Sequence, residues 1–350
     1  MLKVVQELMT IGSGEMSPVL WIPMYLAPVV WLVTNDDSIQ ELFYTNLKAQ
    51  ACLFLFVCQI PVLITGKMAY VDIAWPGGLV LLSIVSFTSG TAPIERRAMV
   101  CVPLFLHGLR MFLGALMLFG KMTKFKYVFS EDLPRYQYAK QKWIDKKMPS
   151  GLWWLKCQHD TMQQGFANSC VLSAPILLSV CFNDPNLHAV EIMGLLTWGT
   201  AWYFENVADL SKQRFLRRCR AEKDPKIRKE NKTAVLGYGK WSTKSYWMWT
   251  KCRHPNYFCE WMGWIGFVMI GIPPLLSMDL NLKFGYAFLY FAVVRFFYDC
   301  LVHWTGAGPA EFYSVKKRPL YRAYQKSTRC FFPFEMPFVN HHRVANFPSV

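Results

Sequence analysis

Charge-poor runs near the length that a bilayer core demands, about 20 apolar residues as helix, recur along this chain. They fall at Ser17–Val33, Ala49–Thr65, Ala69–Ser86, Met99–Gly120, Asn168–Cys181, His188–Asn206, Trp261–Leu276 and Phe284–Val302. The pattern predicts an all-α fold, a polytopic transmembrane helical bundle of about eight spans. Glu7 and Glu15 precede the first run and no small-residue cleavage pattern follows it, so it reads as a span, not a signal peptide. Three strongly basic segments, Lys121–Lys156, Lys212–Arg253 and the tail after His303, fall between spans four and five, between six and seven, and after eight. Lys and Arg beside spans are retained on the cytoplasmic side, and an eight-span count puts all three segments there. Both termini are therefore expected to be cytoplasmic. The acidic Asp36–Asp37–Glu41 loop and the Asn183–Pro185 and Gly271–Asp279 turns take the other face.

Composition agrees. Of 350 residues, 53% are hydrophobic and 16% aromatic against 17% charged, too apolar for a soluble chain of this size. A formal net charge of +15 would ordinarily point to nucleic acid, but basic loops between apolar spans are what membrane topology requires, so no nucleic-acid partner is expected. Cys58, Cys101, Cys170 and Cys181 sit inside apolar runs, and no closely spaced Cys pairs with His partners appear. The eleven cysteines read as reduced packing residues, and no metal site is expected.

Ionisable groups at membrane depth are costly and are normally paired or turned toward a polar cavity. Here they recur at helical spacing, His107 with Arg110, Glu205 with Asp209, and Arg295 with Asp299. Residues three or four apart share a helix face, so Arg295 and Asp299 read as an intrahelical pair. Glu205 and Asp209 are like charges on one face and call for a cation or a donor-rich ligand between them. Asp72, opening span three in DIAWPGG, is a further candidate.

The densest chemistry lies in WMWTKCRHPNYFCEWMGW, from Trp247 to Trp264, where Arg253, His254, Asn256, Tyr257 and Glu260 fall within eight residues. Pro255 suits the first turn of a helix, where its missing N–H is not needed. A helix start carrying Arg and His at a membrane surface suits a phosphate or carboxylate. An interfacial anchor of aromatic and basic residues explains Trp247, Trp249 and Arg253, but not Asn256 with Glu260.

RHPNYFCE, preceded by WYFENVADLSKQRF and followed by TGAGPAEFYSVKKRPLYRAYQKSTRCFFPF, resembles the steroid 5-alpha-reductase-like family of membrane oxidoreductases. It is closest to the branch with RHPNYFGE and a closing YREYQRRTSAFFP-type string, and DIAWP at Asp72 also resembles that branch. The resemblance runs from about Ala69 to Pro333. It implies a bundle that binds NADPH from the cytoplasmic side and reduces an activated carbon–carbon double bond in a lipid-like substrate, typically a steroid or sterol enone. By the same resemblance residues 1–66 would form an N-terminal hairpin and 67–350 the catalytic domain, with the endoplasmic reticulum as the expected membrane. Residues coinciding with the family strings are Asp209 and Arg214 in span six, Arg253, His254, Asn256, Tyr257 and Glu260 in the central motif, and Glu311, Tyr321 and Tyr324 in the tail. In such enzymes these regions line the dinucleotide pocket. Two departures, Cys259 where the family usually has Gly, and Gly308, Pro309 and Ala310 before Glu311, bear on substrate fit more than on cofactor binding.

No GxGxxG follows a strand, so a Rossmann site is absent and the phosphates of NADPH would need several cations. Arg214, Arg217, Arg218 and Arg253 are available for them, while Asn256, Tyr257, Asp209 and Glu260 suit the nicotinamide and ribose. Reduction of an enone also needs an acid that polarises the carbonyl. Asp72 and His107 are the candidate catalytic residues. Two rival readings remain open at this point. One is an isoprenylcysteine carboxyl methyltransferase-type enzyme, which resembles the RHP-x-Y helix start but would use S-adenosylmethionine, a donor without phosphates. The other is a sterol-binding membrane protein without catalysis.

Overall fold

A computed structural model of the chain describes residues 22–122 and 132–336, and among them all regular secondary structure is helical. In chain order the helices are α1 (Ile22–Leu32), α2 (Asp37–Thr65), α3 (Met68–Ser89), α4 (Ile94–Met122), α5 (Pro134–Asp145), α6 (153–180), α7 (Ala189–Ala221), α8 (Pro225–Asn231), α9 (Trp247–Lys251), α10 (Pro255–Ser277), α11 (Leu280–Asp299), α12 (Ala307–Lys317) and α13 (Tyr321–Ser327). Short wider-turned π stretches interrupt α2 at Leu55–Gln59 and α6 at Ala167–Leu172, and another follows α11 at Cys300–Trp304.

Among the described residues five runs are long and apolar enough to cross a membrane: Asp37–Thr65, Met68–Ser89, Ile94–Phe119, Pro255–Ser277 and Leu280–Lys317. They correspond to the second, third, fourth, seventh and eighth expected spans. The fifth and sixth expected spans lie within α6 and α7, which are helical but more polar. Asn168, Ser169, Ser173 and Ser179 are buried along α6, and Glu191 and Glu205 along α7. Part of the first expected span, before Ile22, lies outside the described residues, as do 123–131 of the first basic segment and 337–350 of the tail.

Local chemistry sets the helix ends. The Asp36 carboxylate accepts from the Ile39 backbone N–H at 3.0 Å and caps α2, while Gly66, at φ 66°, closes it in the left-handed conformation that glycine adopts without strain.

The chain divides into two compact units. One comprises Trp21–Gly199 and Trp264–Arg295, and residues on both sides of the boundary expected at 66 belong to it. Here α3 and α4 run against each other closely enough that a Cβ at Gly108 would lie 2.9 Å from Leu79 Cβ and 3.0 Å from the Val80 nitrogen. Buried amides stitch α3 to its neighbours, Gln50 donating to the Gly78 carbonyl at 2.7 Å and Asn168 to the Trp75 carbonyl at 2.9 Å, on either side of Pro76. Trp31 stacks on Phe43 with centroids 4.5 Å apart and donates to the Cys170 carbonyl at 2.8 Å. Near the start of α4, Arg96 is sealed against Glu191, Nε to Oε1 2.7 Å, and also donates to the carbonyls of Phe182, Asp184 and Asn186.

The other unit holds the described part of Thr200–Gly263 and Phe296–Val350. Its interior is aromatic: Phe258, Trp261, Tyr298, Phe331 and Phe332 meet edge to face and stacked, with centroids 5.0 to 6.3 Å apart.

Candidate functional site

The motif between α9 and α10 is held from both sides. Trp249 on α9 donates its indole N–H to Ser211 Oγ on α7 at 2.9 Å. Its carbonyl accepts from the Tyr324 hydroxyl on α13. Gly237, at φ 83°, lies against this turn, where a Cβ would come within 2.7 Å of the Trp249 carbonyl carbon, so only glycine fits there. Cys252 then pairs with Arg329 in an isolated parallel bridge, and the Arg253 N–H donates to the Arg329 carbonyl at 2.8 Å. Pro255 opens α10 immediately afterwards, which leaves Arg253 and His254 in non-helical chain bonded to the tail.

Arg253 and Glu311 form the centre. Both are buried, at 1% and 2% exposure, and their contact is two-pronged, Nε to Oε1 2.6 Å and Nη2 to Oε2 3.2 Å. The remaining Arg253 nitrogen donates to the carbonyls of Gln325 and Thr328. Glu311 also accepts from His254 Nε2 at 2.9 Å and from Gln325 Nε2 at 2.7 Å. An imidazole nitrogen facing a carboxylate must carry the proton, so Nε2 is the N–H of His254. Burial pushes the His254 pKa below its ordinary value, with the Glu311 contact pulling the other way. Tyr257 stacks on that ring, centroids 5.2 Å apart and planes 2° from parallel. Tyr321 and Tyr324 meet edge to face at 5.6 Å, and burial raises both phenols.

One turn into α10 the chemistry changes. Asn256 donates its amide to Asp209 Oδ1 on α7 at 3.1 Å. The other end of that amide, Oδ1, is buried and has no hydrogen-bond partner among the described residues. Glu205 is buried one turn before Asp209, and Glu260 is half-buried one turn after Asn256. Arg214 is exposed on α7.

The structure thus brings Arg253, His254, Glu311, Tyr321 and Tyr324 into one buried cluster and joins Asp209 to Asn256 beside it. It corrects the expectation that Arg253 presents its charge to a phosphate. The guanidinium is sealed against Glu311 and two tail carbonyls, a latch between the central motif and the tail. His254, Glu311 and Cys330 bring ligand-type atoms within 4.8 Å of one another. Glu311 already accepts from Arg253, His254 and Gln325, and a metal ion would face the guanidinium, so the donor set does not suit one.

Asp72 and His107 belong to the other unit. Asp72 is engaged by Arg135, Nη2 to Oδ2 2.7 Å, and by the Tyr136 hydroxyl. Both carboxylate oxygens of Asp72 are thus occupied by partners on α5. His107 is buried at 2% exposure, edge-on to Trp264 at 6.4 Å, and its Nε2 has no hydrogen-bond partner among the described residues. Sequence reasoning missed Gln325, Arg135 and Tyr136. Gln325 sits next to a motif tyrosine but carries no charge to mark it, and the other two lie in a basic stretch that reads as solvated loop.

The family described as protein of unknown function (DUF1295) matches residues 56–328, most of the chain and all of the cluster just described except its last few tail residues. No curated protein and no solved structure matches.

Proposed function

We propose, on the premise that the chain belongs to the DUF1295 family, that it is a membrane reductase using NADPH on a carbon–carbon double bond of a lipid-like enone. The observation that carries the reading is the Asn256 amide, fixed at one end by Asp209 and presenting a buried, unpartnered Oδ1 at the other. A buried acceptor left unpaired costs about 1–3 kcal/mol. A ligand amide N–H, such as that of a nicotinamide carboxamide, would remove that cost. The resemblance of RHPNYFCE and its flanking strings to the steroid 5-alpha-reductase-like family supports the same assignment.

On this reading Asn256, Asp209, Tyr257 and Glu260 hold the nicotinamide riboside, and Arg214 offers an exposed cation to a phosphate. NADPH supplies the hydride when bound. Arg253, His254, Glu311, Tyr321 and Tyr324 fix the segment that carries Asn256, acting through position. Asp72 keeps the start of α3 tied to α5 through Arg135 and Tyr136. An enone dissolved in lipid and a multi-pass chain suit an endoplasmic reticulum membrane.

The test is to mix the purified chain in nanodiscs with NADPH and a panel of steroid, sterol and acyl enones while following loss of nicotinamide absorbance. Turnover is expected for at least one enone and is expected to vanish in Asn256→Leu with unfolding temperature preserved. NADPH-independent retention of S-adenosylmethionine, or full turnover in Asn256→Leu, would overturn the reading.

A further inference from the structure

After α7 the chain turns through Glu222–Asp224 into α8, and with the Gly239–Trp241 turn it borders an open depression of about 650 Å³, the size of a small-molecule site. Its lining includes three cations, Arg218, Lys223 and Lys240, against one carboxylate, Glu222. Glu222 Oε1 is tied to the backbone N–H groups of Lys223 and Asp224 at 2.9 and 3.1 Å. Lys240 lies 3.2 Å from Glu230, but both side chains are more than half exposed, and such surface pairs contribute little. A basic rim alone would be an ordinary solvated surface. Two side chains of its lining make it something else. Asn231, only 8% exposed, presents an Oδ1, and Trp241 an Nε1–H, that are buried and without hydrogen-bond partners among the described residues. Trp241 is held rigid, edge-on to Phe215 at 4.9 Å and 6.0 Å from Tyr246.

A buried acceptor and a buried donor each ask for a partner of opposite kind, so the occupant must carry both an N–H or O–H and an acceptor. The cations add a demand for negative charge that planar guanidinium and flexible ammonium groups meet best as phosphate. Ala221, Ile227 and the Trp241 ring supply apolar contact for a small body between them. The geometry points to a binding site for a phosphate monoester that bears a neighbouring hydroxyl: the phosphate oxygens meet Arg218, Lys223, Lys240 and the Trp241 N–H, and the hydroxyl donates to Asn231 Oδ1. A soluble sugar or nucleoside phosphate and a phosphorylated lipid headgroup share this chemistry. The site goes beyond the reductase reading and does not rest on it. Arg218 is the residue it shares with the cations considered for a dinucleotide.

The experiment is calorimetric titration of the full chain in zwitterionic nanodiscs at about 0.15 M salt, where exposed charges are screened beyond about 8 Å. The soluble probe is glycerol 3-phosphate, which is no part of NADPH, the lipid-borne probe is phosphatidylinositol 4-phosphate built into the disc and read by displacement, and inorganic phosphate is the control. Saturable binding of either ester is expected, the responding arm identifying the source, with weaker binding of inorganic phosphate. Loss of one charge-assisted bond in Lys223→Gln or Lys240→Gln should weaken binding about tenfold. Trp241→Phe, which keeps a ring and removes the N–H, should weaken it severalfold. Both lysines are exposed, so their replacement leaves folding intact even if Trp241→Phe does not. Asn256→Leu should leave the binding unchanged while abolishing enone reduction, which separates this site from the reductase reading. Absence of saturable binding by both esters, or equal binding of esters and inorganic phosphate, or undiminished binding in Lys223→Gln and Lys240→Gln, would overturn the proposal.

Discussion

Arg253 and Glu311, 58 residues apart in the chain, meet as a two-pronged ion pair with neither side chain open to solvent. The pair is the means by which the central motif and the tail, two separate stretches of sequence, become one object. Each partner is also bonded to something else that is buried, Arg253 to the carbonyls of Gln325 and Thr328, and Glu311 to His254 and Gln325. A network with all these members in place fixes one arrangement of the segment, and a network missing one member leaves charge in a low-dielectric interior.

Arg253→Ala is therefore expected to destabilise the chain by about 3–5 kcal/mol, the cost of leaving a buried partner uncompensated. Arg253→Lys should recover only part of that, because an ammonium cannot make the parallel contacts of a guanidinium. Replacing both residues, Arg253→Met with Glu311→Leu, should cost less than Arg253→Ala alone. Thermal unfolding in detergent, followed by tryptophan fluorescence, checks the order. Equal stability of wild type and Arg253→Ala would show that the latch contributes nothing.

His254 sets a pH dependence of stability. Burial lowers its pKa in the fold from the ordinary 6.5, so the unfolded chain binds its proton first as pH falls. The stabilisation is whole above pH 6.5 and declines as the solution is acidified from there toward the folded value. His254→Gln removes the group that titrates and can still donate to Glu311. The wild type is expected to lose unfolding temperature between pH 7 and pH 5 more steeply than His254→Gln. Parallel slopes for the two proteins would assign the acid sensitivity to other groups.

Much of this fold was legible from hydrophobic runs. The second, third, fourth, seventh and eighth expected spans correspond to apolar helices, because an uninterrupted apolar run of bilayer length has few other outcomes. The ends were less legible, since α2 begins at Asp37, a full three turns before the apolar run at Ala49, and α7 runs on to Ala221 through charged residues that hydropathy alone assigns to loop. Of the site, the strings identified which residues congregate, as Arg253, His254 and Glu311 do. They could not say that Arg253 faces inward to Glu311, because a sequence carries no record of which charge a guanidinium meets across 58 residues. Asp72 shows the same limit, its partners Arg135 and Tyr136 being supplied by a distant helix.

Arg96 and Glu191 went unnoticed as a pair for that reason, and their burial makes them sensitive. Glu191 also accepts the His188 N–H at 2.8 Å, so it closes the start of α7 as well as neutralising Arg96. Glu191→Gln keeps the shape, can still accept one bond, and leaves Arg96 without a counter-charge. A loss of about 3 kcal/mol or more is expected. Asp184→Asn, at the exposed ion pair with His188, should by contrast shift stability by less than about 1 kcal/mol. Chemical denaturation of both variants in the same detergent checks the contrast, and a Glu191→Gln protein as stable as wild type would refute it.

Gly266 offers a test of close helix approach with an internal control. On α10, a Cβ at Gly266 would lie 2.7 Å from the Gly194 carbonyl oxygen and 2.9 Å from the Trp198 nitrogen on α7, and one at Gly194 would lie 3.0 Å from the Ile270 nitrogen. Both obstructions are backbone, which cannot swing aside as a side chain can, so the two helices would have to part. Small residues that admit this approach are how helices associate where lipid removes the hydrophobic drive between them. Gly266→Ala is therefore expected to destabilise by about 1–3 kcal/mol, the range for forcing extra volume into a packed contact. Gly199 lies on the same helix as Gly194 with nothing within 4 Å of its hypothetical Cβ. There alanine brings only its better helix propensity, so Gly199→Ala should leave stability unchanged or raise it by up to about 1 kcal/mol. Unfolding temperatures of the two variants beside wild type decide the matter: a drop for Gly266→Ala with none for Gly199→Ala is the expected pattern, and equal values would mean that the α7–α10 contact yields without cost.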